Sequence, residues 1–146
     1  MQTIRFDKLE LKKESLVLDM GCGEGRHTIG LYVDRKINAF GFDLSHKDLK
    51  IAEGRLNDFP VSKNNENGCF FGVSNINQLS FSNDSFDSVI CSEVLEHVDS
   101  PEESVKELIR VLKPGGIFYC LEFNKPESHI VDSLYKNYKK YIIPLI

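Results

Sequence analysis

No run in this chain approaches the ~18 consecutive apolar residues of a membrane span, and Met1 to Glu14 carries charges where a secretory signal needs an apolar centre. The expected compartment is therefore the cytoplasm. The cysteines Cys22, Cys69, Cys91 and Cys120 include no C-x-x-C pair. They read as small buried residues in a reducing compartment. His27, His46 and His129 are dispersed, with no second ligand at metal spacing, so no metal is expected. The net charge is -4 and no cluster of Lys and Arg dominates any long stretch, which argues against broad electrostatic binding to nucleic acid. The basic segment Lys136 to Lys140 is short and reads as a solvated helix face. Internal repeats and low-complexity tracts are also missing.

What is present fits one domain over residues 1–146, with 41% hydrophobic and 27% charged residues and enough length for a real core. The chain is organised around Ser15 to Thr28, SLVLDMGCGEGRHT. Leu16 to Leu18 reads as a buried strand, and Gly21, Gly23 and Gly25 as the turn after it, because glycine permits positive φ and close backbone approach. A ligand is expected on this turn. Phosphates, a dinucleotide or another nucleoside cofactor would each suit it.

The leader holds Ile4, Phe6, Leu9 and Leu11, compatible with a short helix or arm lying over the domain. Arg26 to Val33 is the first expected helix, with Ile29, Tyr32 and Val33 as its apolar face. Its N-terminus, fed directly by the glycine turn, offers free N–H groups to an electron-rich ligand. Ala39 to Asp43 is a second parallel strand ending in an acid. Ser45 caps a helix over Lys47 to Leu56, buried through Leu49, Ala52 and Leu56. Asn57 to Gly68 is polar and reads as an exposed, mobile loop.

Cys69 to Val73 is the third strand, Ser74 to Ser85 is irregular, and Phe86 to Cys91 is the fourth strand. Ser100, Pro101 and Glu103 supply an N-cap, a first-turn proline and a capping-box acid for a helix to about Leu112. Its apolar face is Val105, Leu108, Ile109 and Leu112. Lys113-Pro114-Gly115-Gly116 should stop that helix before a fifth strand, Ile117 to Leu121. The tail, Glu127 to Tyr141, has near-helical spacing, and Pro144 ends it. Strands joined by helical crossovers imply an α/β doubly wound parallel sheet, Rossmann-like, of about five strands with helices on both faces.

In such a sheet the ligand lies beyond the carboxyl ends of the strands, where the strand order reverses. That edge collects the glycine turn, Asp43, Asn75, and the group Cys91, Ser92 and Glu93. An acid after strand two suits a ribose diol, and Asn75 could read an adenine edge. The competing cofactor is NAD, whose fingerprint is G-x-G-x-x-G. Arg26 stands where that pattern needs its third glycine, which weakens the dinucleotide reading, and no Gly-Lys-Ser/Thr follows the turn as a P-loop requires.

VLDMGCGEGRHT, GFDLS, FSNDSFDSVICSEVLEHV and ELIRVLKPGGIF together resemble the motifs of class I S-adenosylmethionine-dependent methyltransferases, from Leu16 to about Glu122. The resemblance implies that Asp19, Gly21, Gly23 and Gly25 surround the methionine part of S-adenosylmethionine, that Asp43 binds the ribose hydroxyls, and that Asn75 and Ile76 flank adenine. Many members have Asp where Asn75 stands, so an adenine amino contact would use the amide oxygen. The segment Leu121 to Ile146, LEFNKPESHIVDSLYKNYKKYIIPLI, is similar to the region after strand five in ubiquinone and menaquinone C-methyltransferases. That group would carry over Thr28, Asp43, Asn75, Ile76 and Ser92 as cofactor contacts, although its glycine turn usually reads more like A-G-G-T-G.

The implied activity is methyl transfer to a small-molecule acceptor, such as a quinone precursor. Much of the catalysis can come from positioning and desolvation. Removing a phenolic proton would raise the nucleophilicity of an aromatic acceptor, and His97 or Glu93 could assist after strand four. Capping or packing of the short helix is the competing role for both. The family fold continues past strand five with a helix and an antiparallel pair of strands, whereas this chain stops at Ile146. Strand five is then expected as an exposed edge, inviting a homodimer, a marginal fold or a truncated product. A cofactor-binding or interaction module without transfer is the alternative function, and a nucleotide-dependent oxidoreductase the third.

Overall fold

The structure, a computed structural model, describes residues 4–59 and 66–121 and the backbone of a short strand, Ile142–Pro144. Alternation of strand and helix dominates it, as the apolar runs imply. The strands are β1 (Leu16–Met20), β2 (Asn38–Asp43), β3 (Cys69–Val73), β4 (Phe86–Ser92), β5 (Leu112–Leu121) and β6 (Ile142–Pro144). The helices are α1 (Arg26–Arg35), α2 (His46–Asn57) and α3 (Pro101–Val111).

All pairings in the sheet are parallel, in the order β3-β2-β1-β4-β5-β6. The chain winds outward from β1 through β2 to β3, then crosses back to β4 on the other side of β1. The strand order therefore reverses between β1 and β4, where loops following adjacent strands diverge and leave a crevice. Met20 stands opposite both Phe42 and Cys91, so the carboxyl ends of β1, β2 and β4 lie level.

Each sheet face has its own apolar layer. On one, Val17, Ala39, Ile90 and Tyr119 meet Leu31, Tyr32 and Ile37, with Ile4, Phe6 and Leu9 of the leader lying over them. The Tyr119 hydroxyl accepts a hydrogen bond from the Glu10 N–H at 2.9 Å, which fastens the arm. On the other, Leu18, Met20, Val89, Cys91 and Phe118 meet Val105, Leu108 and Val111 of α3. Burying each such aliphatic side chain contributes roughly 1.5–3 kcal/mol. Leu31 and Thr28 of α1 are buried and Val33 is exposed, unlike the expected stripe. Residues 28, 31 and 32 face inward because the helix is covered by both sheet and leader.

The Ser45 hydroxyl caps α2 by accepting the Asp48 N–H at 3.2 Å. Ser100 occupies the corresponding place before α3, but its side chain makes no capping bond. Pro101, which has no N–H to satisfy, and the first-turn acids Glu102 and Glu103 do the work at that end. Lys113-Pro114-Gly115-Gly116 lies within β5 and not before it. Phe86 pairs with Leu112 and Ser88 with Ile117, so this segment bulges out of the ladder, with Gly115 at φ +80°.

The expectation of a bare edge at strand five is corrected. Ile142–Pro144 pairs with Phe118, Tyr119 and Cys120, and it runs parallel, not as part of an antiparallel pair. Pro144, lacking an N–H, suits an outer strand. The expected tail helix over Glu127 to Tyr141 lies outside the described residues.

Candidate functional site

The glycine turn leaves β1 at the reversal of strand order. Phe42 O accepts the N–H groups of Gly21 and Cys22 at 2.7 and 3.1 Å, and Cys22 O accepts the Gly25 N–H at 2.9 Å. Gly25 has φ +77°, and a Cβ there would stand 2.7 Å from Ala52 Cβ and 2.8 Å from Phe71 Cζ. Its role is packing. Gly23, at φ +51°, would place a Cβ with no atom of the described residues within 4 Å. It leaves an open backbone surface at the crevice, where a ligand can approach closely.

Asp43 reaches this turn from the end of β2. One carboxylate oxygen accepts the Gly23 N–H at 2.8 Å and the other the Ser45 N–H at 2.8 Å. Each oxygen keeps a further lone pair, so a diol can still be accepted. Next to it, Leu44 is 63% exposed, an apolar surface at the same edge. Sequence reading passed over Leu44, although an apolar residue between the strand-end acid and the Ser45 cap was the available signal.

Beyond β3, Asn75 and Ile76 begin the irregular connection. Asn75 is exposed, and its amide oxygen already accepts the Asn77 N–H at 2.9 Å. The Ile76 side chain is buried in the core under α3, which leaves only its backbone to meet a ligand. At the end of β4, Ser92 Oγ and Glu93 Oε1 are buried with no hydrogen-bond partner among the described residues. Glu93 takes φ +60°, a left-handed conformation costly for a side chain of its size. A Cβ on Gly21 would overlap the Val94 side chain, which shows how closely the β1 and β4 turns approach. His97 is exposed on the short helix Leu95–His97, its Nε2 3.5 Å from Glu96 Oε1.

Asp19 lies behind the turn, fully buried, and accepts the Thr28 hydroxyl at 2.6 Å. Burial outweighs that hydrogen bond and pushes its carboxyl up to about 6. The Cys22 thiol is held far above its ordinary range by burial and by the charges of Asp19 and Asp43. The same burial pushes Cys69 up to about 12. Neither is an activated nucleophile. The His27 imidazole is pushed down to about 4 by burial and by Arg26, with Glu93 opposing. Sequence reading set His27 aside for want of a metal partner, but the fold brings it within the reach of Glu93's charge. Among the described residues no three His, Cys, Asp or Glu side chains gather as a metal site.

An open glycine backbone, a carboxylate at the end of β2, an exposed apolar residue beside it and unpartnered polar atoms after β4 fit a nucleoside that extends into a polar tail. The profile of a family described as a methyltransferase domain matches residues 18–120. The chain is 32% identical over 139 residues to a demethylmenaquinone methyltransferase of Lysinibacillus sphaericus, covering 94% of this chain and 56% of that one. It is 35% identical over 135 residues to a ubiquinone/menaquinone biosynthesis C-methyltransferase of Rickettsia typhi, covering 90% and 54%. A SAM-dependent methyltransferase structure from Methanosarcina mazei superposes with a TM-score of 0.71 at 27% identity, covering 87% of this chain and 59% of that one. The chain thus spans about half the length of the curated relatives it matches. With glycine turn, strand order and family profile in agreement, this chain belongs to the class I S-adenosylmethionine-dependent methyltransferase family.

Proposed function

We propose that the protein binds S-adenosylmethionine at the carboxyl edge of β1, β2 and β4 and transfers its methyl group to a small aromatic acceptor of the quinone-precursor class. The observation that carries the cofactor half is the Asp43 carboxylate tied to the Gly23 N–H, beside the open backbone of Gly23. Support for the acceptor class comes from the names of the relatives, two of which act in quinone methylation.

When bound, S-adenosylmethionine supplies an electrophilic methyl carbon on a sulfonium. Asp43 would accept the ribose hydroxyls through its remaining lone pairs, while Leu44 would offer an apolar face to the base. Asn75 and the Ile76 backbone would meet the base edge. Gly21, Gly23 and Ser92 would line the methionine part, with Asp19 and Thr28 bracing the turn from behind. Gly25 would act through packing. The protein's contribution is mostly placement and exclusion of water, which can supply much of the barrier reduction in a displacement that needs in-line geometry.

Calorimetry with S-adenosylmethionine and S-adenosylhomocysteine, followed by a screen of naphthoquinol and benzoquinol acceptors, tests this. Saturable binding and methylated product are expected. Preferential binding of NAD would refute the reading, and binding without transfer to any acceptor would favour a cofactor-binding module.

A further inference from the structure

The irregular connection from β3 to β4 is fastened to α3 at alternate residues. Ser104 Oγ donates to Asn77 Oδ1 at 2.5 Å, and Glu107 Oε2 accepts the Leu79 N–H at 2.9 Å. Arg110 donates to Leu79 O at 3.0 Å and to Phe81 O at 2.8 Å. Ser104, Glu107 and Arg110 follow one another at three-residue spacing, so one face of the helix holds the whole connection.

Glu107 and Arg110 grip backbone atoms, whereas Ser104 binds a side chain. Its hydroxyl is fully buried and also lies 3.1 Å from Ser100 O, an acceptor within its own helix, so burial alone does not require Asn77 as a partner. Asn77 is exposed, where water would satisfy its amide equally well. What the bond does fix is the place of the Asn77 residue, whose own N–H donates to Asn75 Oδ1 at 2.9 Å. The Gln78 N–H, donating to Asn75 O at 3.0 Å, closes the same turn.

We infer that Ser104, acting through Asn77, is a positioning residue for the base-binding end of the site: it holds the Asn75 amide with its NH2 group outward, so that the base meets a donor and a hypoxanthine nucleoside is accepted as readily as an adenine one. The inference rests on the proposed binding of S-adenosylmethionine and adds the polarity with which the base is read. Only the oxygen of an amide can accept an N–H, so the bond from Asn77 settles which end of the Asn75 side chain is which. Asn75 is exposed, and its Nδ2 has no hydrogen-bond partner among the described residues. An amide nitrogen only donates. The exocyclic amino group of adenine is a donor too, so Nδ2 gains nothing from it and bonds a ring nitrogen instead. The exocyclic oxygen of hypoxanthine is an acceptor and suits Nδ2 directly. An aspartate in the same turn would leave a second oxygen outward, which rewards the amino group and repels the oxygen.

Calorimetry on the full chain with S-adenosylhomocysteine and its deaminated analogue, S-inosylhomocysteine, tests this. The wild type should bind the two within about threefold of each other, and Asn75→Asp should favour S-adenosylhomocysteine by about tenfold or more, the size of a hydrogen bond to a charged group. Ser104→Ala and Asn77→Ala should each weaken S-adenosylhomocysteine binding by about three- to tenfold, and the double variant no further than either, because both interrupt one chain of contacts. A serine that merely supported the helix would lower the melting temperature and leave these affinities alone. Asn77 is on the surface, so its variant reports on the same chain if Ser104→Ala does not fold. Any of three results overturns the inference: a wild-type preference for S-adenosylhomocysteine beyond that range, an unchanged ratio in Asn75→Asp, or affinity unmoved in Asn77→Ala. Losses that add in the double variant would remove Ser104 from the chain. A wild type that binds neither compound refutes the methyltransferase reading itself.

Discussion

The Asp43 carboxylate holds the Gly23 N–H at 2.8 Å, so the acid that ends the second strand also sets the shape of the glycine turn after the first. Binding and turn geometry are therefore coupled. Asp43→Ala should remove the diol acceptor and release the turn together. We expect S-adenosylhomocysteine affinity to fall at least ~10-fold and the fold to lose about 1.5–3 kcal/mol, the range for a hydrogen bond to a charged group. Calorimetry and urea unfolding measure the two. A loss of affinity at unchanged stability would uncouple them.

Gly23 and Gly25 should respond differently to the same substitution. Gly25→Ala meets Ala52 and Phe71 and has no room, so it should unfold or fail to accumulate. Gly23→Ala meets none of the described residues, and should cost only about 1–2 kcal/mol for a left-handed alanine. It should nevertheless abolish S-adenosylhomocysteine binding, because the new methyl occupies the open surface. Thermal melts with and without the ligand distinguish the cases.

Asp19 and His27 should give opposite pH responses. The Asp19 carboxyl rises from 3.8 to about 6 on folding, so the folded state binds the proton more tightly than the unfolded chain does. Its effect favours folding below pH 3.8 and becomes a penalty as pH rises through 6, amounting to about 3 kcal/mol at neutral pH. Asp19→Asn, which can still accept the Thr28 hydroxyl, should therefore raise the melting temperature at pH 7.5 and leave it unchanged near pH 3.5. His27 falls from 6.5 to about 4, so acidification through that window destabilises the fold. His27→Gln should flatten the acid limb. Melting curves from pH 3.5 to 8 would refute either assignment if the variants paralleled the wild type.

Glu93→Gly should relieve the left-handed strain at φ +60° and raise stability by about 1 kcal/mol. Chemical unfolding of the variant and the wild type measures the gain. Reduced stability would show that Glu93 supports the fold and does not strain it.

Much of this organisation was legible from local pattern. The starts of β1 and β4 and the end of β2 fall where the apolar runs place them, because a strand in the middle of the sheet must be apolar along much of its length whatever surrounds it, and Cys69–Val73 matches its apolar run although it is the outer strand, with Phe70 and Val73 exposed. Helix faces were less legible. Val33 was expected inside and is exposed, since the inner face of α1 depends on the leader that covers it from elsewhere in the chain. Lys113-Pro114-Gly115-Gly116 reads locally as a stop, yet it bulges inside β5 because β4 supplies a ladder on both sides of it.

By itself, the sequence determined the alternation of strands and helices and the residues that end each strand: Asp19 and the glycines, Asp43, Asn75, Ser92 and Glu93. Those are consequences of short-range periodicity and of backbone conformations tied to residue type. Only the tertiary structure decided which of these ends meet. The bond from Gly23 to Asp43 depends on β2 lying beside β1, and the close approach of Gly21 to Val94 on β4 lying on its other side. Such neighbours are set by the crossover from β3 back past β1, a long-range choice that no local window of residues contains.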